Sequence, residues 1–171
     1  MTRFSMIACA FAASVTAGAA VAAEPHAVAD MMGPNGSDMG RVELTQGPRG
    51  VLFRVEAKGL AESWHGFHIH QSGSCADGLD AAGGHFAPDG NEHGLLNEAG
   101  AHSGDLPNIY VDATGMARAE IYGAGLTLST GDMPILDDDG AAIMIHAQAD
   151  TYMADAGAGD RVSCGQIELT K

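Results

Sequence analysis

The sequence predicts an all-β domain, an antiparallel sandwich or barrel. Three observations point there. Short strand-like pieces recur along the chain with turn residues between them. Gly or Pro interrupts almost every window that would otherwise hold an amphipathic helix. Two connections, residues 71–107 and about 147–163, are too long for hairpins and are rich in Gly, Asp and Ala. Structureless connections of that length in a compact domain are usually functional.

The elements follow in order. Residues 24–40 read as irregular, with Val28–Met32 as an edge strand. Arg41–Leu44 and Val51–Ala57 flank Gln46-Gly47-Pro48-Arg49-Gly50, a hairpin pattern. Gly66-Phe67-His68-Ile69-His70 alternates apolar and polar residues, as a half-buried strand does. Ile109–Val111 and Met116–Tyr122 flank Asp112-Ala113-Thr114-Gly115, a second hairpin pattern. Leu126–Leu128, Ala142–His146 and Gly165–Leu169 complete the strands. There is no internal repeat and no second domain, as expected for 171 residues.

Residues 1–23 read as an export signal. Arg3 supplies a positive start, Phe4–Ala19 a modest apolar stretch, and Ala20-Val21-Ala22 a small-residue cleavage site. A membrane anchor is the competing reading, but Ser5, Ser14, Thr16 and Gly18 interrupt the run. The folded domain is then residues 24–171. Cys9 leaves with the signal, so Cys75 and Cys164 remain. An even pair in an exported chain is the setting for a disulfide, with two buried free thiols as the alternative.

The net charge is −14, from eight Lys+Arg against 22 Asp+Glu. Phosphate contacts need basic residues, so nucleic acid is excluded as a partner, and so is an anionic membrane surface. Eight His, as many as Lys and Arg together, are the first sign of metal.

His68 and His70 lie two apart in a strand, so both point to one face. Alone that signal is weak. The following connection adds His85, His93, His102 and Asp105, and His146 ends a distant apolar strand. Three imidazoles and a carboxylate suit tetrahedral zinc, while imidazole also suits copper. These seven side chains are one short of two four-ligand sites. One shared imidazolate, bound through both ring nitrogens, would close the gap; the spacing does not say which histidine is shared. His26 and His65 read as terminal tail and exposed loop.

The ordered segments carry a resemblance. Gly66-Phe67-His68-Ile69-His70, Gly73-Ser74-Cys75, Ala82-Gly83-Gly84-His85-Phe86, His93-Gly94, His102-Ser103-Gly104-Asp105-Leu106-Pro107-Asn108, Ile145-His146-Ala147-Gln148-Ala149-Asp150 and Arg161-Val162-Ser163-Cys164-Gly165 occur in this order. Over about residues 40–170 the chain resembles the copper-zinc superoxide dismutases, most of all their exported bacterial branch. The resemblance implies an eight-stranded antiparallel Greek-key barrel or sandwich with long metal-binding and active-site loops. It implies copper on His68, His70, His85 and His146, and zinc on His85, His93, His102 and Asp105, with His85 shared. Asp150 would accept from a copper histidine and a zinc histidine. Arg161 would hold the anionic substrate. Cys75 and Cys164 would form the family's disulfide.

The implied activity is dismutation of superoxide to dioxygen and hydrogen peroxide, with copper alternating between two oxidation states. His85 would carry a proton. The implied compartment is the periplasm rather than the medium, with no membrane partner once the signal is gone, and a homodimer is admitted. A non-catalytic copper- or zinc-binding protein on the same scaffold is the competing reading. Members that have lost catalysis would lack a copper ligand or the arginine, and this chain keeps all of them. It departs from the family in two places. Residues 151–160 contain no Lys or Arg, and Cys75 to His85 lacks the longer insertion of many bacterial relatives. A small positive cleft would therefore have to attract superoxide within an acidic surface.

Overall fold

The computed structural model describes residues 26–131 and 134–170. The export signal expected over residues 1–23 lies outside the described residues. Among the described residues eight strands form one antiparallel sheet: β1 (Ala27–Met32), β2 (Asp38–Gly47), β3 (Gly50–Lys58), β4 (Ser63–His70), β5 (Asp105–Val111), β6 (Met116–Ala124), β7 (Ala142–His146) and β8 (Arg161–Leu169). Their order across the sheet is β5-β4-β7-β8-β1-β2-β3-β6. The two end strands are consecutive in the chain and lie against each other, so the sheet rolls into a nearly closed barrel.

Alternation sets the inside of the barrel. Along β3, Val51, Phe53, Val55 and Ala57 point inward and are buried, while Arg54 and Glu56 face water. Ala27, Ala29 and Met31 of β1, Val42 and Leu44 of β2, and Phe67 and Ile69 of β4 join them in one core. Strand β7 is buried on both faces. Its outward residues Ala142 and Met144 pack with Leu79, Ala82 and Cys164 beneath the long β4–β5 connection.

Three sequence readings need correction. Val28–Met32 is not an edge strand: β1 lies between β2 and β8, because its alternate small residues fit the core and both of its edges are paired. Leu126–Leu128 is not a strand. Leu126 and Leu128 are buried in the core, and Thr127 makes one isolated bridge, to Pro134. The Leu128 N–H donates to the Gln46 side chain at 2.8 Å, which fixes this segment as a loop. The Asp112–Gly115 turn is formed, but it does not join a paired hairpin. Beyond the turn, β5 pairs with β4 and β6 with β3.

The disulfide Cys75–Cys164 is formed, with Cα atoms 5.7 Å apart. It fastens the β4–β5 connection to β8, across 89 residues of sequence.

Candidate metal centre

Strand alternation builds the first half of the centre. Phe67 and Ile69 enter the core, so His68 and His70 must leave β4 on the outer face. They are nonetheless buried, at 0% and 1% exposure, because the long connections fold over that face. His146 ends the neighbouring strand β7 on the same side. His85 forms an isolated bridge with His70, which brings the β4–β5 connection back over the strand.

Two groups of ligand atoms result. His68, His70, His85 and His146 make one; His85, His93, His102 and Asp105 make the other. Within each group the ligand atoms lie within 4.8 Å of one another, and His85 belongs to both. All seven residues singled out from the sequence are thus brought together.

The hydrogen bonds show which ring nitrogen each histidine keeps for the interior. His68 donates from Nε2 to Asp150 Oδ2 at 2.7 Å. His70 donates from Nδ1 to the Gly83 carbonyl at 2.9 Å, and His146 from Nδ1 to the Gly159 carbonyl at 3.3 Å. Their other nitrogens, His68 Nδ1, His70 Nε2 and His146 Nε2, are buried without a hydrogen-bond partner, as is His102 Nδ1. A buried polar atom left unpaired is costly. In His68, His70 and His146 this is the lone-pair nitrogen that a metal ion needs, with its tautomer set by the outer partner. The donor set therefore fits a metal.

In the second group, Asp105 Oδ1 lies 2.7 Å from His85 Nδ1, 3.0 Å from His93 Nδ1 and 3.3 Å from His102 Nδ1. Bonds of about 2.0 Å to a tetrahedral zinc would separate ligand atoms by about 3.3 Å. Asp105 Oδ2 is held from outside by the N–H groups of Gly94 at 2.9 Å and His102 at 3.1 Å.

Electrostatics prepares the same groups. Burial is the largest influence on His70 and His146, and it lowers their pKa values to about 2 and about 4; the nearby His85 adds to both. His68 is lowered for the same first reason. These imidazoles are neutral near pH 7, the form that binds metal. Burial alone would raise the carboxylates. The bonds from His85 and the Gly94 N–H outweigh it at Asp105, which stays well below the usual range. Bonds from His68 and the Tyr152 N–H bring Asp150 to about 2.

Arg161 stands at the edge of the first group. Its guanidinium donates to the carbonyls of Leu79 at 2.9 Å and Gly83 at 2.6 Å. Gly83 thus receives both Arg161 and His70. Gly83 has φ 72°, a backbone geometry that glycine adopts without steric cost. The Asp80 carboxylate lies 3.9 Å from the same guanidinium. Asp150 is buried between the groups, its Oδ2 2.7 Å from His68 Nε2 and 3.1 Å from His93 Nε2.

Two residues had no role in the sequence reading. His65, read as an exposed-loop residue, is buried in β4. Its ring lies between main-chain carbonyls, 2.6 Å from that of His146 and 2.9 Å from that of Ala61. The pairing of β4 with β5 shifts register between His65 and Phe67. Asn108 pairs its side chain with the backbone of Asp150, donating to the carbonyl at 2.9 Å and accepting from the N–H at 2.8 Å. The Asp105-Leu106-Pro107-Asn108 spacing was visible, but its partner lies 42 residues away. His26 is exposed at the start of β1, as expected, and accepts from the Gln46 N–H.

Residues 39–167 match the family model described as copper/zinc superoxide dismutase. The chain is 43% identical over 140 residues to a superoxide dismutase [Cu-Zn] of Caulobacter vibrioides, covering 78% of this chain and 80% of that protein. Among solved structures it is similar to a SOD-like protein from Bacillus subtilis, with TM-score 0.77, 35% identity, and 81% and 95% of the two chains covered. It is also similar to the Cu/Zn superoxide dismutase from Brucella abortus, with TM-score 0.68, 30% identity, and 82% and 98% covered.

Proposed function

Because the chain belongs to the copper/zinc superoxide dismutase family, we propose that it converts two superoxide ions and two protons to dioxygen and hydrogen peroxide. In this reading His68, His70, His85 and His146 hold copper, and His85, His93, His102 and Asp105 hold zinc. The observation that carries it is the pair of ligand groups with His85 in common.

Copper would supply the one-electron change in each direction, and zinc, which has no redox step, would supply charge and fixed geometry. The rest is the work of the chain. Arg161, held by the carbonyls of Leu79, Asp80 and Gly83, presents a fixed cation beside the first group and orients the small anion. His85, whose Nδ1 faces Asp105 of the second group, would serve both groups and would carry a proton to the departing peroxide. Asp150 keeps His68 and His93 in their tautomers. The acidic surface leaves Arg161 and the metals as the local attraction for superoxide.

Residues 1–23 as an export signal, residues 24–171 as the enzyme domain and the periplasm as its compartment belong to the same proposal. The disulfide fits an exported protein. The amino-terminal residue of the protein recovered from a periplasmic fraction tests the cleavage, and sedimentation tests for a homodimer.

A non-catalytic copper- and zinc-binding role is the second reading, and the likeness to the Bacillus subtilis SOD-like protein favours it. The complete ligand groups and Arg161 favour catalysis. Loss of superoxide measured with the copper- and zinc-loaded protein decides between them. Catalytic loss is the expected result; stoichiometric copper binding without turnover would overturn the enzyme reading.

A further inference from the structure

Tyr152 lies two residues beyond Asp150, and its backbone is left-handed, with φ 65°. A bulky side chain is rarely found in that conformation, which glycine adopts freely. Among the described residues only two other non-glycine residues, Asp77 and Leu79, have positive φ. Such a conformation persists only where its surroundings over-determine it.

The surroundings do so through three hydrogen bonds to three separate places. The Tyr152 N–H donates to Asp150 Oδ1 at 2.6 Å. Its carbonyl accepts from the Leu96 N–H at 2.8 Å. Its hydroxyl accepts from the Asn108 N–H at 2.8 Å. Leu96 is three residues beyond His93, and Asn108 is three beyond Asp105. The approach at the second contact is close. Gly94 has φ 116°, and a Cβ there would stand 2.6 Å from the Tyr152 carbonyl oxygen.

We propose that Tyr152 is a positioning residue that sets the spacing of the two ligand groups, holding Asp150 in place relative to His93 and Asp105. This role rests on the two-metal reading above. The backbone of residue 152 binds the Asp150 carboxylate and the Leu96 segment, and the hydroxyl locks both to β5. Residues outside the ligand set that orient ligands in this way are worth about 10–100-fold in metal affinity.

The test uses the full folded protein, loaded with copper and then with Co²⁺ as a spectroscopic probe of the second group. Tyr152→Phe removes only the hydroxyl acceptor. Tyr152→Gly keeps a backbone suited to the left-handed conformation but loses the ring, so it answers the question if the first variant fails to fold. Competition against a chromophoric chelator should show the second-metal affinity of both variants lowered about tenfold. The visible Co²⁺ bands, which report ligand geometry, should shift as well. Unchanged affinity and unchanged bands would overturn the proposal, even if the thermal midpoint falls. A wild-type protein that takes up only one metal would instead overturn the two-metal reading, and this role with it.

Discussion

His68 Nε2 donates to Asp150 Oδ2 at 2.7 Å, a bond between residues 82 apart in sequence with both side chains buried. The same carboxylate meets His93, so one residue from the β7–β8 connection orients a histidine of each group. Asp150→Asn keeps the shape but replaces an oxygen by an NH₂ that cannot accept. Second-metal affinity should fall about 10–100-fold, read by chelator competition. An unchanged value would show that Asp150 does not orient His93.

His85 is the residue common to both groups. His85→Ala should therefore weaken both metals together. Titration of each metal separately checks this, and unchanged zinc affinity would refute the shared ligand.

Acid should destabilise the metal-free protein from near pH 6.5 downward. His70 and His146 are held neutral, with pKa values near 2 and 4 against 6.5 when unfolded. The unfolded chain thus binds protons first, and stability present above pH 6.5 is lost as pH falls towards these folded values. The slope is about 1.4 kcal/mol per pH unit for each such histidine. Asp150, lowered to about 2, extends the loss below pH 3.8. Thermal midpoints of chelated protein between pH 7 and pH 4 measure it; a flat profile would contradict burial as the cause.

Removing the Cys75–Cys164 bond should cost up to about 4–5 kcal/mol, by the loop entropy of 89 residues. Leu79 and Gly83, whose carbonyls hold Arg161, lie in the segment that the bond fastens. Cys75→Ala should thus lower both the denaturation midpoint and kcat/KM for superoxide. A changed midpoint with unchanged kcat/KM would separate the disulfide from the placement of Arg161.

Salt should affect the rate weakly. Residues 151–160 contain no Lys or Arg, and Asp80 lies 3.9 Å from the Arg161 guanidinium. The gain in kcat/KM at low ionic strength should be smaller than in a relative with basic guiding residues. A steep loss on adding salt would show a guiding field that these residues do not provide.

Much of this centre was legible from chemistry and order. Period-two alternation by itself puts His68 and His70 on one face, and the seven ligand candidates all converge in the fold. The long connections carrying them were recognisable because Gly and Asp cannot fill a core. Legibility failed where pairing was non-local. Val28–Met32 has an ordinary strand pattern, and only the ladders to β2 and β8 place it inside the sheet. Leu126–Leu128 is apolar enough for a strand, but Gln46, 82 residues away, takes the Leu128 N–H.

The sequence by itself determined the donor chemistry, the faces of the strands and the acidic surroundings, since these depend on residue type and local spacing. Tertiary structure decided what each ring does. His65 and His68 are both buried histidines of one strand, yet both ring nitrogens of His65 lie against carbonyls, while His68 keeps Nδ1 unpaired. That difference comes from partners brought in by distant segments. An imidazole's role is set by which of its two nitrogens is already occupied.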